Sequence, residues 1–262
     1  MDFGLEGKIA LVTAGSQGLG KATALSLARE GARVAICGRT AETLETAKQD
    51  IETDTGCSIL AIPADVTDKV AIAALVQGVK DHLGPIDILV NNAGGPPPGL
   101  FDSLTDEDWE KTFRLTLMSA VRLTRAVLPD MRAAGWGRII NISSNSIRQP
   151  IGQLFLSNSM RLAVLGWAKS LANEVAGQGI LVNTVCPGWT RTERVTNLIG
   201  TRARSENRPE TEIEQEITAG IPVGRLGKPE ELADVVTFLA SERAGFISGT
   251  TVVVDGGTVQ AP

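Results

Sequence analysis

The chain has no tyrosine, a single histidine and only three cysteines in 262 residues. Without tyrosine, no phenol can act as an acid anywhere in the chain. The histidine, His82, falls at the end of a predicted helix, at the amino end of the strand that follows, which marks it as a surface residue. Three cysteines (Cys37, Cys57 and Cys186) cannot form a complete disulfide set and read as reduced thiols of a cytoplasmic protein. Basic residues are not in excess: the net charge of -5 argues against a nucleic-acid partner. No apolar run approaches the ~18 residues of a membrane span, and the opening MDFGLEGKIALV lacks the basic and apolar regions of a signal peptide. No linker, repeat or low-complexity tract interrupts residues 1–262, which predicts a single domain. No metal site is expected.

What is present is a regular alternation. Short apolar runs at 8–13, 33–37, 58–65, 86–94, 137–144, 180–188 and 250–257 read as strands. Between them, 21–32, 41–56, 68–83, 105–133, 154–177 and 229–242 read as helices, several stopped by glycine or started by proline. Residues 190–228 are polar and punctuated by glycine and proline, and predict a partly helical flap. Strands buried on both faces and joined by crossover helices imply an α/β fold, a Rossmann-like, doubly wound parallel sheet in three layers. Ligands of such sheets bind beyond the carboxyl ends of the strands.

Candidate binding residues collect at those ends. The segment Thr13-Ala14-Gly15-Ser16-Gln17-Gly18-Leu19-Gly20 joins the first strand to the first helix, where glycines admit a pyrophosphate to the helix N-terminus. The competing reading is a tight strand-to-helix turn. Arg39 follows the second strand, where an acidic residue would hold a ribose hydroxyl; an arginine suits a 2′-phosphate and favours NADP(H) over NAD(H). A solvated loop arginine is the competing reading. Asp65 and Val66 end the third strand. Asn91, Asn92, Ala93 and Gly94 end the fourth.

With Ser143-Ser144, the Pro187-Gly188-Trp189-Thr190-Arg191-Thr192 segment and the closing Asp255-Gly256-Gly257, the set resembles the short-chain dehydrogenase/reductase superfamily, particularly its β-ketoacyl-acyl-carrier-protein-reductase-like branch. The resemblance runs from Lys8 to Gly257. It implies cofactor contacts from Pro187, Gly188, Thr190 and Thr192, and assembly as a homodimer or homotetramer through the helices at 105–133 and 155–177. A hetero-oligomer with a related subunit is the alternative.

The family carries its chemistry on Asn, Ser, Tyr and Lys. Here Ser144 keeps the serine position, but Thr116 stands for Asn, Ser157 for Tyr and Arg161 for Lys. The first glycine of the family's Thr-Gly-x-x-x-Gly-x-Gly is Ala14. These departures resemble a divergent subgroup with Ser-x-x-x-Arg-like segments. A serine hydroxyl is a far weaker acid than a phenol of pKa about 10, and a guanidinium does not release its proton. Arg161 can still stabilise an oxyanion and donate to the cofactor ribose. Loss of general acid catalysis typically costs ~10²–10⁴ in rate, about 3–5 kcal/mol. Slow hydride transfer to a carbonyl, with a water-borne proton, is compatible with this sequence. A cofactor-binding or structural subunit, and a non-redox enzyme using the same pocket, are the rival readings.

Around the site, Pro96, Pro97 and Pro98 stiffen the loop at 94–101, with Leu100, Phe101 and Trp189 as candidates for an apolar wall; a merely rigid loop is the competing reading. Arg148, Arg191 and Arg194 flank the mouth and suit an anionic substrate, against scattered surface charge. Trp167 lies in either a subunit interface or the core.

Overall fold

The computed structural model describes residues 2–260. Seven strands form one sheet: β1 (Ile9–Val12), β2 (Arg33–Gly38), β3 (Leu60–Pro63), β4 (Ile88–Asn91), β5 (Gly137–Ile142), β6 (Ile180–Pro187) and β7 (Thr251–Val254). Their order is β3-β2-β1-β4-β5-β6-β7, and every pairing is parallel. The chain winds outward in both directions from β1 and β4, so the crossovers leave these neighbours on opposite sides and open a crevice at their carboxyl ends.

Alternate side chains of each strand enter different cores, as period-2 geometry requires. Ala10, Val12, Ile36 and Val90 pack with Leu27 of α1 (Gly18–Arg29), Leu44 of α2 (Ala41–Thr55) and Val236 of α9 (Pro229–Ala240). Leu11, Ala35, Leu89 and Val182 pack with Val79 of α3 (Lys69–His82), Leu123 of α5 (Ser119–Ala134) and Ala172 of α6 (Phe155–Val175). Trp167 packs against this second cluster. The three-layer α/β/α architecture is the expected one.

Two elements differ from the sequence expectation. The helix expected over 105–133 is α4 (Asp106–Thr112), a π-helical segment over Phe113–Met118 and then α5. Thr105 and Asp108 form a capping box at the start of α4, and Asp106 and Glu107 complement its dipole. No glycine or proline announces the π segment. The flap is more helical than expected: α7 (Glu193–Glu206) and α8 (Glu210–Ala219) enclose their own small core of Ile199, Ala203, Ile213, Ile221 and Leu226. Its two ends are tied together where Arg191 N donates to Gly227 O at 2.8 Å and Gly227 N to Trp189 O at 2.9 Å.

Candidate active site

The turn after β1 is built for close approach. A β-carbon on Gly20 would fall 2.2 Å from Ala14 O and 2.8 Å from Asn92 Nδ2. The neighbouring Gly15 would clash with Ile36, so both glycines are sterically required. Ala14 itself has φ +46°, the left-handed region that glycine favours. Thr13 is fully buried, and its hydroxyl donates to Asn92 O at 2.7 Å and Val90 O at 3.2 Å. Thr13 therefore clamps β1 to β4 and has no free hydroxyl hydrogen for a ligand.

Helix α1 starts at Gly18, three residues earlier than its pattern suggested, and no side chain caps it. The N–H groups of Gly18, Leu19 and Gly20 are left for an anion, with Ser16 and the exposed Gln17 alongside. Thr192 packs against Gly18, where a β-carbon would lie 3.3 Å from its methyl group. The Pro187–Thr192 segment thus forms the second wall of this groove. Thr192 caps α7, and Thr190 is buried with its hydroxyl on Gly188 O at 3.3 Å. Gly188 is packed on Asp255 of the closing Asp-Gly-Gly turn.

Beyond β2, Arg39 is exposed and has no hydrogen-bond or ion-pair partner among the described residues. Next to it, the Thr40 hydroxyl makes no cap bond at the start of α2. Ser16 lies 3.2 Å from the β-carbon position of Gly38, which places a hydroxyl on the same spot. Asp65 is exposed and caps the N–H of Thr67 at 2.9 Å, while Val66 is buried beside it.

At the end of β5 the structure brings Arg161 to the backbone beside Ser144. Ser144 follows β5 by two residues, and its Oγ accepts from Ser146 N at 3.1 Å. Helix α6 carries Ser157 and Arg161 on one face. Ser157 is buried. Arg161 Nη1 donates to Ser143 O at 2.7 Å and Ile142 O at 3.2 Å, which anchors the guanidinium to the end of β5. Burial, with the charge of Arg194 second, lowers its pKa to about 10.

A small cavity of about 20 Å³ sits behind these residues, lined by Thr13, Asn91, Thr116, Asn141, Ser143 and Arg161 among others. Four buried polar atoms on its lining lack a partner: Asn91 Oδ1, Thr116 Oγ1, Asn141 Nδ2 and Ser143 Oγ. The space admits one water molecule, and the four atoms supply the donors and acceptors that a buried water needs. Thr116, in the π segment, reaches this cavity. Ser143 belongs to the Ser143-Ser144 pair of the sequence motif, whereas Asn141 has no motif of its own, although an asparagine inside the apolar run of a central strand is a signal.

Several expected residues lie elsewhere. Leu100 and Phe101 are 63% and 64% exposed, Phe101 meets Phe155 with ring centroids 6.0 Å apart, and neither lines the buried cavity. Trp189 packs on the flap core. Arg191 is paired with Glu214 at 2.5 Å. Arg194 instead joins the proline loop, donating to Gly95 O at 3.0 Å and Pro96 O at 2.9 Å. Consecutive prolines have no N–H groups, so their loop offers carbonyls that a guanidinium can pair. His82 is exposed, as expected. Cys186 is buried at the end of β6, and desolvation raises its pKa to about 11. Among the described residues no helix is long and apolar enough to cross a membrane, and no acidic, histidine or cysteine group could hold a metal ion.

Known proteins match this chain along nearly its whole length, in sequence and in fold. A family model described as enoyl-(acyl carrier protein) reductase matches residues 13–259. The chain is a short-chain dehydrogenase/reductase. It is 40% identical to acetoacetyl-CoA reductase of Rhizobium meliloti, over 95% of this chain and 98% of that protein. It is 38% identical to 3-oxoacyl-[acyl-carrier-protein] reductase of Escherichia coli, over 96% of this chain and 97% of that protein. L-Sorbose reductase from Gluconobacter frateurii, solved with NADPH and L-sorbose, superposes with a TM-score of 0.96 at 33% identity, covering all of both chains.

Proposed function

We propose that this short-chain dehydrogenase/reductase is an NADP(H)-dependent oxidoreductase that interconverts a carbonyl and a secondary alcohol without a tyrosine acid. The observation that carries this reading is the cradle between the turn at Gly15–Gly20 and the segment at Pro187–Thr192, where an uncapped α1 N-terminus meets glycines that tolerate no β-carbon. The cradle fits a dinucleotide pyrophosphate. Arg39, Thr40 and Ser16 would hold a 2′-phosphate, with Asp65 and Val66 beside the adenine end and Asn92, Ala93 and Gly94 along the middle. When bound, the nicotinamide would supply the hydride.

The chain's own groups do the rest. Ser144 donates to the carbonyl oxygen and fixes its place. Arg161, locked on the carbonyls of Ile142 and Ser143, sets a positive charge beside that oxygen and toward the cofactor ribose. Ser157 lines the acid position but is too weak an acid to replace a phenol, so the proton reaches the alkoxide from water. Thr116 helps hold the buried polar pocket behind Arg161. The missing acid predicts turnover ~10²–10⁴ below that of a relative with a tyrosine.

Calorimetry with NADPH and NADH tests the reading. Micromolar NADPH binding, with much weaker NADH binding that evens out in Arg39→Ala, is the expected result; no binding of either dinucleotide overturns it. The loss of Tyr and Lys favours one rival, a cofactor-binding subunit without its own turnover. That rival predicts NADPH binding with no reduction of any carbonyl. Assembly through the α4–α6 face belongs to the same proposal: Phe113, Phe155 and Leu162 are exposed apolar residues on the π segment and on α6, two elements that pack together.

A further inference from the structure

Charge around the active site is unbalanced. Among the described residues Arg33, Arg122 and Arg138 hydrogen-bond only backbone carbonyls, while surface arginines such as Arg29, Arg132, Arg191 and Arg225 each hold a carboxylate. Arg161 and Arg194 do not: among the described residues their hydrogen bonds go only to the carbonyls of Ile142, Ser143, Gly95 and Pro96. Their anchors, Ser143 and Gly95, lie just beyond the paired strands β5 and β4, and the charge of Arg194 acts on Arg161. Arg148 and Arg161 both act on Cys186, so a third cation reaches the same strand end. No aspartate or glutamate lines the cavity under Arg161. Holding Arg161 partly out of water without an anion is costly, and Arg194, exposed at the flap, also has no carboxylate on it among the described residues.

Arg161 is also oriented for recognition. One of its terminal nitrogens is spent on backbone carbonyls, and the Nε and Nη2 edge makes no hydrogen bond among the described residues. That edge is the planar fork that grips two oxygens of a carboxylate. Arg194 approaches from the flap, seated where Gly95 lacks a side chain: a β-carbon there would lie 2.5 Å from its Cζ.

We propose that the substrate is a small oxo acid (or the corresponding hydroxy acid), whose carboxylate is held between Arg161 and Arg194 while its carbonyl faces Ser144. The proposal rests on the oxidoreductase reading of the same site and names its substrate class. It distinguishes this chain from reductases of neutral sugars or of thioesters, in which no carboxylate adjoins the carbonyl.

The test is equilibrium binding, by calorimetry or ligand-observed NMR, of pyruvate, acetoacetate and levulinate against their methyl esters. It is run on the unliganded protein and on protein saturated with NADP⁺. At least one free acid should bind about ten-fold or more tightly than its ester, a factor within the reach of one charge-assisted contact. The preference should fall in Arg194→Gln, where the Arg161 fork remains, and fall less in Arg194→Lys. Thermal melting and dinucleotide binding of these flap variants confirm that they fold. Equal binding of acids and esters, binding of neither, or a preference unchanged in Arg194→Gln overturns the proposal. Because NADPH binding is measured separately, its absence counts against the dinucleotide reading, and the acid–ester comparison on unliganded protein still decides the substrate class.

Discussion

Ala14 holds a backbone conformation that a side chain makes expensive. Its φ of +46° costs about 1–2 kcal/mol relative to glycine, offset in part by the extra freedom that glycine has in the unfolded chain, about 0.4–1 kcal/mol. Ala14→Gly should therefore raise stability by roughly 0.5 kcal/mol in urea unfolding and leave NADPH affinity nearly unchanged, because Gly15 and Gly20 form the close approach. A loss of stability would show that the left-handed turn is not strained. The thiols give a second prediction at this scale. Burial raises Cys37 to about 12 and Cys186 to about 11, from a usual 9.0. Both thiols stay protonated and unreactive at pH 8, so a thiol reagent should modify only the half-buried Cys57 in the native protein, and three cysteines after unfolding. The linkage has a definite sign. Above pH 9 the unfolded chain releases thiol protons that the native state keeps, so these two groups lower stability as pH rises from about 9 toward 12.

At the scale of elements, two contacts decide the site. The π segment over Phe113–Met118 carries Thr116 to the buried polar cavity. A high-resolution crystal structure should show one ordered water there, bonded to Asn91, Asn141, Ser143 or Thr116. Thr116→Val should weaken that water and destabilise the fold by about 1–3 kcal/mol, the cost of leaving a buried polar partner unsatisfied. The second contact is the hold of Arg194 on the proline loop. The same loop is tied to the start of α6 where Gly99 N donates to Gln153 O at 2.8 Å, so it joins the flap to the helix that carries Ser157 and Arg161. Gly95→Ala would displace the Arg194 side chain without touching a strand. Faster hydrogen exchange and proteolysis across 190–228, with the sheet unaffected, is the expected outcome. These couplings had no local signature in the sequence. The alternation of strands and helices was readable because burial on two faces leaves continuous apolar runs. The π segment was not, because one extra residue in a helical turn hardly alters the apolar spacing.

For the whole molecule, Leu162 is 52% exposed on α6, and with Phe113 and Phe155 it leaves an apolar face on the outside of the domain. Leu162→Glu should reduce the assembly state seen by analytical ultracentrifugation, with the melting temperature of the domain changed by only a few degrees; an unchanged sedimentation profile would place the interface elsewhere. The sequence by itself determined the parallel doubly wound sheet, the glycine turn after β1, the cation after β2 and the absence of any phenol from the chain. These are consequences of residue type at a position along one strand or helix, and such short-range patterns are written linearly. Only the tertiary structure decided which of the expected groups share a space. It spent the Thr13 hydroxyl on β4 and moved Leu100 and Phe101 to the surface. It also neutralised Arg191 with Glu214 and left Arg161 and Arg194 without a carboxylate. Pairing and desolvation depend on which groups meet in space, and such a meeting can join residues nearly a hundred positions apart, as Arg194 and the Gly95 carbonyl are.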